Sequence, residues 1–335
     1  MNPAHVWLVV AQEFRIRLRT GRWRWLLGAW LALLALFTLL LDLGLNTGYG
    51  YVPDDSLRGV PLFGFLMFFV LGSMLVISPA LTAQTINGDR ERGTLATLQV
   101  TRLRPAEIAL GKLLAGWSVG LVALALSIPF AGYAMTQGGI TITRVAAVYG
   151  VVALLIGTVC AVSQALSGLL ARSITSALLS YVVTMTLAVG TLVAFGLALP
   201  LTEERIVVNS TDGYRYTTYQ THPERVWWLL APNPFVIVAD AAPRVPPRVT
   251  RHGDVIHIEN YDPLSSIGNE VRQLRSPQGW FVYAPNADSV PEPEEKPVWP
   301  YGLGFSVLLA AGSVLVTIRR LRTPTDRLPR GIRVA

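Results

Sequence analysis

The residues best suited to chemistry in this chain are the alternating charges Asp89-Arg90-Glu91-Arg92, followed at once by Gly93-Thr94-Leu95 and Leu98. Arg102, Arg104 and Pro105 come next, then Glu107, Ile108 and Leu110. This pattern suits recognition rather than bond-making. Gly93-Thr94 can cap and start a short helix carrying Leu95 and Leu98, Arg102-Arg104-Pro105 breaks it, and Glu107 to Leu110 restarts helix. A short helix with an apolar contact face and an arginine rim fits a groove on another protein. Patterns for catalysis are missing. Gly111-Lys112 runs into Leu113-Leu114 without the glycine loop or the Ser/Thr of a phosphate-binding loop. No serine stands in a nucleophile elbow. The single cysteine, Cys160, allows neither an intramolecular disulfide nor a thiol metal cluster. His252 and His257, near Asp254 and Glu259, read as solvent-facing side chains. No catalytic, cofactor-binding or metal-binding residue is expected.

Six long apolar stretches must position the charged segment: roughly 24–43, 60–86, 113–135, 145–170, 174–200 and 299–318. Each can cross a hydrocarbon layer of ~30 Å as a helix, and none has a charge in its middle. The chain is 52% hydrophobic and 15% charged, with a mean hydropathy of +0.45, which excludes an ordinary soluble domain. A net charge of +7 would be compatible with nucleic-acid binding, but its distribution points elsewhere. Arg15, Arg17, Arg19, Arg22 and Arg24 precede the first stretch; Arg319, Arg320 and Arg322 follow the last. Together with the arginines of 87–112, they predict a multi-pass protein of the inner or plasma membrane with both termini cytoplasmic. The first span reads as an uncleaved anchor rather than a signal peptide. Lipids are expected partners; nucleic acid is not.

The fold class expected is an all-α integral membrane protein in three parts. Residues 1–200 hold an N-terminal elbow helix and five spans, with a coupling loop at 87–112. Residues 201–298 form an extracytoplasmic segment, and 299–335 hold the sixth span and a basic tail. Trp7, Ala11, Phe14 and Leu18 make an apolar stripe flanked by Arg15 and Arg17, suited to an interfacial elbow helix. Pro79 predicts a kink, and Ser127 with Pro129 predicts another near the outer end of the third span. Gly157, Cys160, Gln164 and Gly168 give the fourth span a small face for packing on another helix, in the same chain or a second copy. Ile206–Val208 and Tyr214–Tyr219 hint at a hairpin. The stretch 227–239, WWLLAPNPFVIVA, is too short to span and reads as re-entrant or interfacial. Ser73, Ser78, Thr82, Ser127 and Gln164 line either a weakly polar path or helix–helix contacts. No intramembrane acid or base is available to carry a coupling ion, so uphill transport would draw its energy from another subunit.

The loop closely resembles the one between spans two and three in permease subunits of type-2 ATP-binding-cassette (ABC) exporters, the ABC-2 family. The matching residues are Glu91-Arg92, Gly93-Thr94-Leu95, Leu98, Thr101, Leu103, Glu107-Ile108 and Leu110-Gly111-Lys112. Ala96 stands where that family commonly has an acid, and Arg102 and Arg104 replace its proline and serine. The resemblance extends to an elbow helix, six spans and helices before the last span. It implies a permease working as two copies or homologues with two cytoplasmic ABC ATPase subunits. The partner would bind ATP and Mg and perform the hydrolysis, and this chain would carry no cofactor. With no intramembrane charge, the expected cargo is hydrophobic or amphipathic. The alternative is a non-transporting membrane scaffold or sensor whose external segment binds a ligand.

Overall fold

Leucine-, alanine- and valine-rich runs can satisfy their backbone in lipid only as helices. In the structure, a computed structural model, six helices are long and apolar enough to cross a membrane: Trp25–Asn46, Gly59–Glu91, Pro105–Thr136, Ile142–Leu169, Ser173–Thr202 and Trp299–Leu321. The chain is a multi-pass α-helical membrane protein. The structure describes residues 2–19, 22–47, 57–95, 103–209, 215–244, 248–249, 255–256, 262–275 and 296–322. Two compact units emerge: Met1–Thr184 with Ser306–Ala335, and Met185–Phe305.

The first unit opens with α1 (Pro3–Arg19) and α2 (Arg22–Asn46). Its interior is built by α3 (Gly59–Thr82), α5 (Pro105–Ala125) and α7 (Ile142–Leu169). Val60, Phe63, Leu66, Met67, Val70 and Met74 of α3 are buried among them. Small residues permit the close approach. A Cβ on Gly120 would come within 2.6 Å of Ile156 Cγ2, and one on Gly157 within 3.2 Å of Trp117 Nε1. That indole donates to the carbonyl of Ala153 at 2.8 Å. The small face of α7 therefore packs on helices of its own chain. On α2, Trp30 and Phe37 stack on Phe69, and the Trp30 indole donates to Ala123 O.

The interruption expected at Ser127 occurs, whereas α3 continues as helix through Pro79. After Pro79, α3 ends at Thr82, and the chain turns into α4 (Asn87–Glu91). Thr82 Oγ1 donates to Ser78 O at 2.8 Å, engaging a carbonyl near the break. Between α5 and α6 (Ile128–Thr136), Ser127 Oγ donates to Leu124 O at 2.6 Å and also meets the Tyr149 hydroxyl at 2.7 Å. The fifth span begins as α8 (Ser173–Met185).

In the second unit the chain passes through a π turn, Thr186–Gly190, into α9 (Thr191–Ala198) and a 3-10 turn, Leu199–Thr202. The hairpin foreshadowed by alternating residues is real: β1 (Glu204–Asn209) pairs antiparallel with β2 (Arg215–Gln220), Glu204 opposite Gln220. A second small pair joins β3 (Arg248–Val249) to β4 (Val255–Ile256). The 227–239 stretch resolves into a 3-10 turn, Trp227–Leu229, and the short helix α10 (Pro234–Ala241). A further helix, α11 (Pro263–Gln273), follows in the same segment. Asp262 caps it through Leu264 N–H and Ser265 N–H, and Pro263 occupies its first turn, where a missing N–H costs nothing. Leu230, Ala231, Val236, Val271, Leu274 and Val298 form this unit's apolar core. Val298 immediately precedes α12 (Trp299–Leu321).

Candidate functional site

The charged loop folds into a joint at the end of α3 and the start of α5. Glu91 takes the Ser173 hydroxyl at 2.7 Å and the Ser173 N–H at 3.2 Å on one carboxylate oxygen. It thereby caps the start of α8, an arrangement the helix dipole favours. Arg92 Nη2 lies 3.1 Å from Asp89 Oδ1. Gly93 adopts φ +70°, a left-handed conformation that ends the turn after α4 and that glycine alone reaches without strain. Thr94 Oγ1 donates back to Asp89 O at 3.3 Å, and helix starts again at Thr94-Leu95.

Leu95 is only 6% exposed. It packs with Ile86, Ile108, Ala109 and Leu321, so the apolar contact expected from it is made inside the chain. Leu98 and Arg102 lie outside the described residues. Arg104 is exposed, and its N–H donates to Glu107 Oε2 at 3.0 Å. Glu107 also receives the Asn2 N–H at 2.8 Å on Oε1, and Oε2 stands 3.1 Å from His5 Nδ1. One buried carboxylate thus closes the first turn of α5 and ties it to the start of α1.

The centre of the joint is Lys112, one of two lysines in the chain and 1% exposed. Its ammonium lies 2.6 Å from Glu13 Oε1 of α1 and also pairs with Asp89 Oδ2 of α4. A buried ammonium is tolerated only when paired, and here both partners come from other helices. Val9 makes the packing equally close: a Cβ on Gly111 would sit 2.6 Å from Val9 Cβ.

The N-terminal helix consequently has two apolar faces. Val6, Val9 and Val10 are buried, whereas Trp7 is 70% exposed. Phe14 is half-buried and Arg15 exposed. Leu18 lies near the end of the helix. Of the expected stripe, Trp7 faces outward and Ala11 and Phe14 are half-buried. Val6, Val9, Val10 and Glu13, at helical spacing, mark the protein-facing side. Lys112 and Glu13 escaped sequence reasoning as a pair because Gly-Lys was weighed only as a nucleotide motif and as part of the loop resemblance. The missed signal was a lone lysine at the eighth position of an apolar helix.

Several polar residues of the spans bond to neighbouring helices. Gln164 Nε2 donates to Ala109 O at 2.8 Å, joining α7 to α5, while its Oε1 is buried without a partner. Ser167 Oγ accepts from the N–H groups of Ile86 and Asn87 at 3.1 Å each, and Ser176 Oγ donates to Ala83 O. Thr82 and Ser127 make the bonds given above. Ser78 Oγ is buried with no hydrogen-bond partner, and Ser73 is half-buried.

The second unit holds a comparable hub. Asp240 accepts the N–H groups of Val298 and Trp299 at 2.6 Å each, starting α12, and pairs with Arg272 Nε. Arg272 Nη2 donates to Asp240 O at 2.9 Å. The Arg275 guanidinium lies 4.3 Å from the Trp227 ring centre and donates to the carbonyls of Lys296 and Pro297. Asn233 Oδ1 caps α10, and its Nδ2 donates to Ala188 O of the π turn and to Thr191 Oγ1, both at 2.8 Å. These groups position helix ends. A scan against protein-family models gives no match for this chain, and a search of the curated proteins gives none either.

Proposed function

We propose that this chain is the membrane-spanning permease subunit of an ATP-driven exporter of the ABC-2 kind, paired with a second permease and two cytoplasmic ATPase subunits. The observation that carries the reading is the Asp89–Lys112–Glu13 joint. It ties the loop after the second span to the start of the third and to the N-terminal helix, while Glu91 ties the same loop to the fifth span. A push on residues 89–95 would thus be felt by four helices. Such a linkage is what a subunit without its own nucleotide chemistry needs to receive work from an ATPase.

In this reading both termini are cytoplasmic, and Pro3–Arg19 is the elbow helix, with Trp7 at the lipid interface. Residues 227–239 form the re-entrant element. The docking surface comprises Arg90, Glu91, Arg92, Thr94 and Arg104, which are exposed, together with Leu98 and Arg102. Leu95 supports that surface from beneath. The buried, unpartnered Ser78 Oγ and Gln164 Oε1 favour a path with a few polar contacts, suited to a hydrophobic or amphipathic cargo.

Co-expression with the cognate ATPase tests the reading. Leu98→Asp combined with Arg102→Glu should reduce ATPase co-purification and transport at least tenfold while the spans remain inserted, through a charge placed in a desolvated contact, roughly 1.4 kcal/mol or more. Undiminished co-purification and transport would overturn it. The scaffold or sensor reading draws support from the apolar core that the external segment builds for itself. It would be preferred if no ATPase co-purified and cysteine labelling at 90–104 ignored nucleotide.

A further inference from the structure

In the second unit a histidine stands between two carboxylates. His222 Nδ1 is 2.6 Å from Glu224 Oε1, and Nε2 is 3.7 Å from Glu204 Oε2. A neutral imidazole has one N–H, so it can donate to only one of them and turns a lone pair toward the other. Imidazolium donates from both nitrogens. The other oxygen of Glu204 is held by Arg225 Nη1 at 2.6 Å, whereas Glu224 Oε2 is buried without a hydrogen-bond partner. With the ring neutral, two carboxylates face one fixed cation.

The charged surroundings are few among the described residues. Arg205 neighbours Glu204 on β1, but successive strand residues point to opposite faces. Arg215 pairs with Asn209 at the far end of the hairpin. The turn Leu199–Thr202 contributes only the Thr202 hydroxyl, which accepts the His222 N–H at 3.2 Å. Glu203, beside Thr202, is exposed, and Glu204, Glu224 and Arg225 are the charged groups among the described residues that pair with the ring or with one another.

Their placement gives the cluster mechanical meaning. Glu204 opens β1, while Glu224 and Arg225 belong to the 3-10 turn that leads into Trp227 and Trp228. The hairpin has just two strands, and such a ribbon is marginal by itself. Its base depends on a few side-chain contacts.

We propose that His222 is a proton-operated latch: protonated, it clamps Glu204 of the hairpin to Glu224 of the turn, and neutral, it holds Glu224 and leaves Glu204 to Arg225. A proton that binds the clamped form better must, by linkage, populate that form as the solution turns acidic. The hairpin would then be stiffer in acid and looser in base, on a segment adjoining the membrane-interface tryptophans. The inference stands apart from the exporter reading and needs no ATPase.

Double electron–electron resonance on the full chain in lipid nanodiscs tests it, with spin labels at Thr217→Cys and Trp228→Cys in a Cys160→Ala background. Between pH about 8 and about 5.5 the distance distribution should narrow about twofold. His222→Gln should abolish the narrowing, and so should Glu204→Gln, a conservative change at an exposed position. A parent distribution that ignores pH would overturn the latch. So would equal narrowing in either variant, and if His222→Gln fails to fold, Glu204→Gln decides alone.

Discussion

Two spans begin at a buried carboxylate, yet the two carboxylates are recruited differently. Glu107 closes α5 from within its own first turn, accepting the N–H of Arg104 three residues earlier, and then adds Asn2 and His5 of α1. Asp240 receives the N–H groups of Val298 and Trp299 from nearly sixty residues away, with Arg272 of α11 as counter-charge. The first cap would form on an isolated helix and is reinforced by packing. The second exists only when α10, α11 and the start of α12 are all assembled. One helix start is locally encoded, and the other depends on tertiary structure.

This contrast should appear as a graded series of losses. Asp240→Ala removes the carboxylate shared by Arg272 Nε and the N–H groups of Val298 and Trp299. It should cost about 3–5 kcal/mol, seen as a large fall in apparent Tm and in folded yield. Adding Arg272→Leu should recover part of that loss; a double variant no better than Asp240→Ala would break the claim that the pair acts as a unit. Lys112→Met comes next, at about 2–3 kcal/mol, because Glu13 retains some access to water. Restoration of apparent Tm by Asp89→Asn in the same chain would identify the stranded carboxylate as the cause.

Glycine substitutions sharpen the comparison further. A Cβ on Gly302 would strike the backbone carbonyl of Ala231, which has little room to move, whereas one on Gly111 meets the Val9 side chain. Gly302→Ala and Gly111→Ala should both destabilise by about 1–3 kcal/mol, Gly302 more. Glu107→Ala should lower apparent Tm less than any of these, since the first turn of α5 can hydrate once uncapped. The smallest effect is acid-dependent. The Arg225 guanidinium, hydrogen-bonded to Glu204, holds its carboxyl below the usual glutamate range. Its stabilisation is present above that usual range and fades as pH falls through the lowered value. Arg225→Ala should remove this slight acid loss from a pH series of apparent Tm.

Legibility from the sequence follows the same divide. The six spans were readable because bilayer thickness and backbone satisfaction dictate a long uncharged run. Ser127 and the 204–220 hairpin were readable because they act within a few residues. The face of α1 was only half legible, since Trp7, Ala11, Phe14 and Leu18 form one stripe while Val6, Val9 and Val10 form another, and periodicity alone does not say which meets protein. Leu95 carried the same ambiguity: an apolar residue in a charged loop serves a partner or a core equally well by pattern, and here it serves a core. Lys112, Asp240 and Asn233 were illegible as joints because their partners lie far away in sequence, from 23 residues for Lys112–Asp89 to 99 for Lys112–Glu13.

Asn233 also has a consequence for how the molecule ages. Its side-chain amide is wholly buried and supplies the donor that the Ala188 carbonyl and the Thr191 hydroxyl require. Spontaneous deamidation would replace that donor with a carboxylate aimed at a carbonyl, the worst exchange available in a dry site. The usual route to that damage is attack on the side chain by the backbone nitrogen of the next residue. The next residue is Pro234, whose nitrogen carries no hydrogen and is locked in its ring. The proline that starts α10 therefore also gives its capping asparagine chemical durability over the lifetime of the protein.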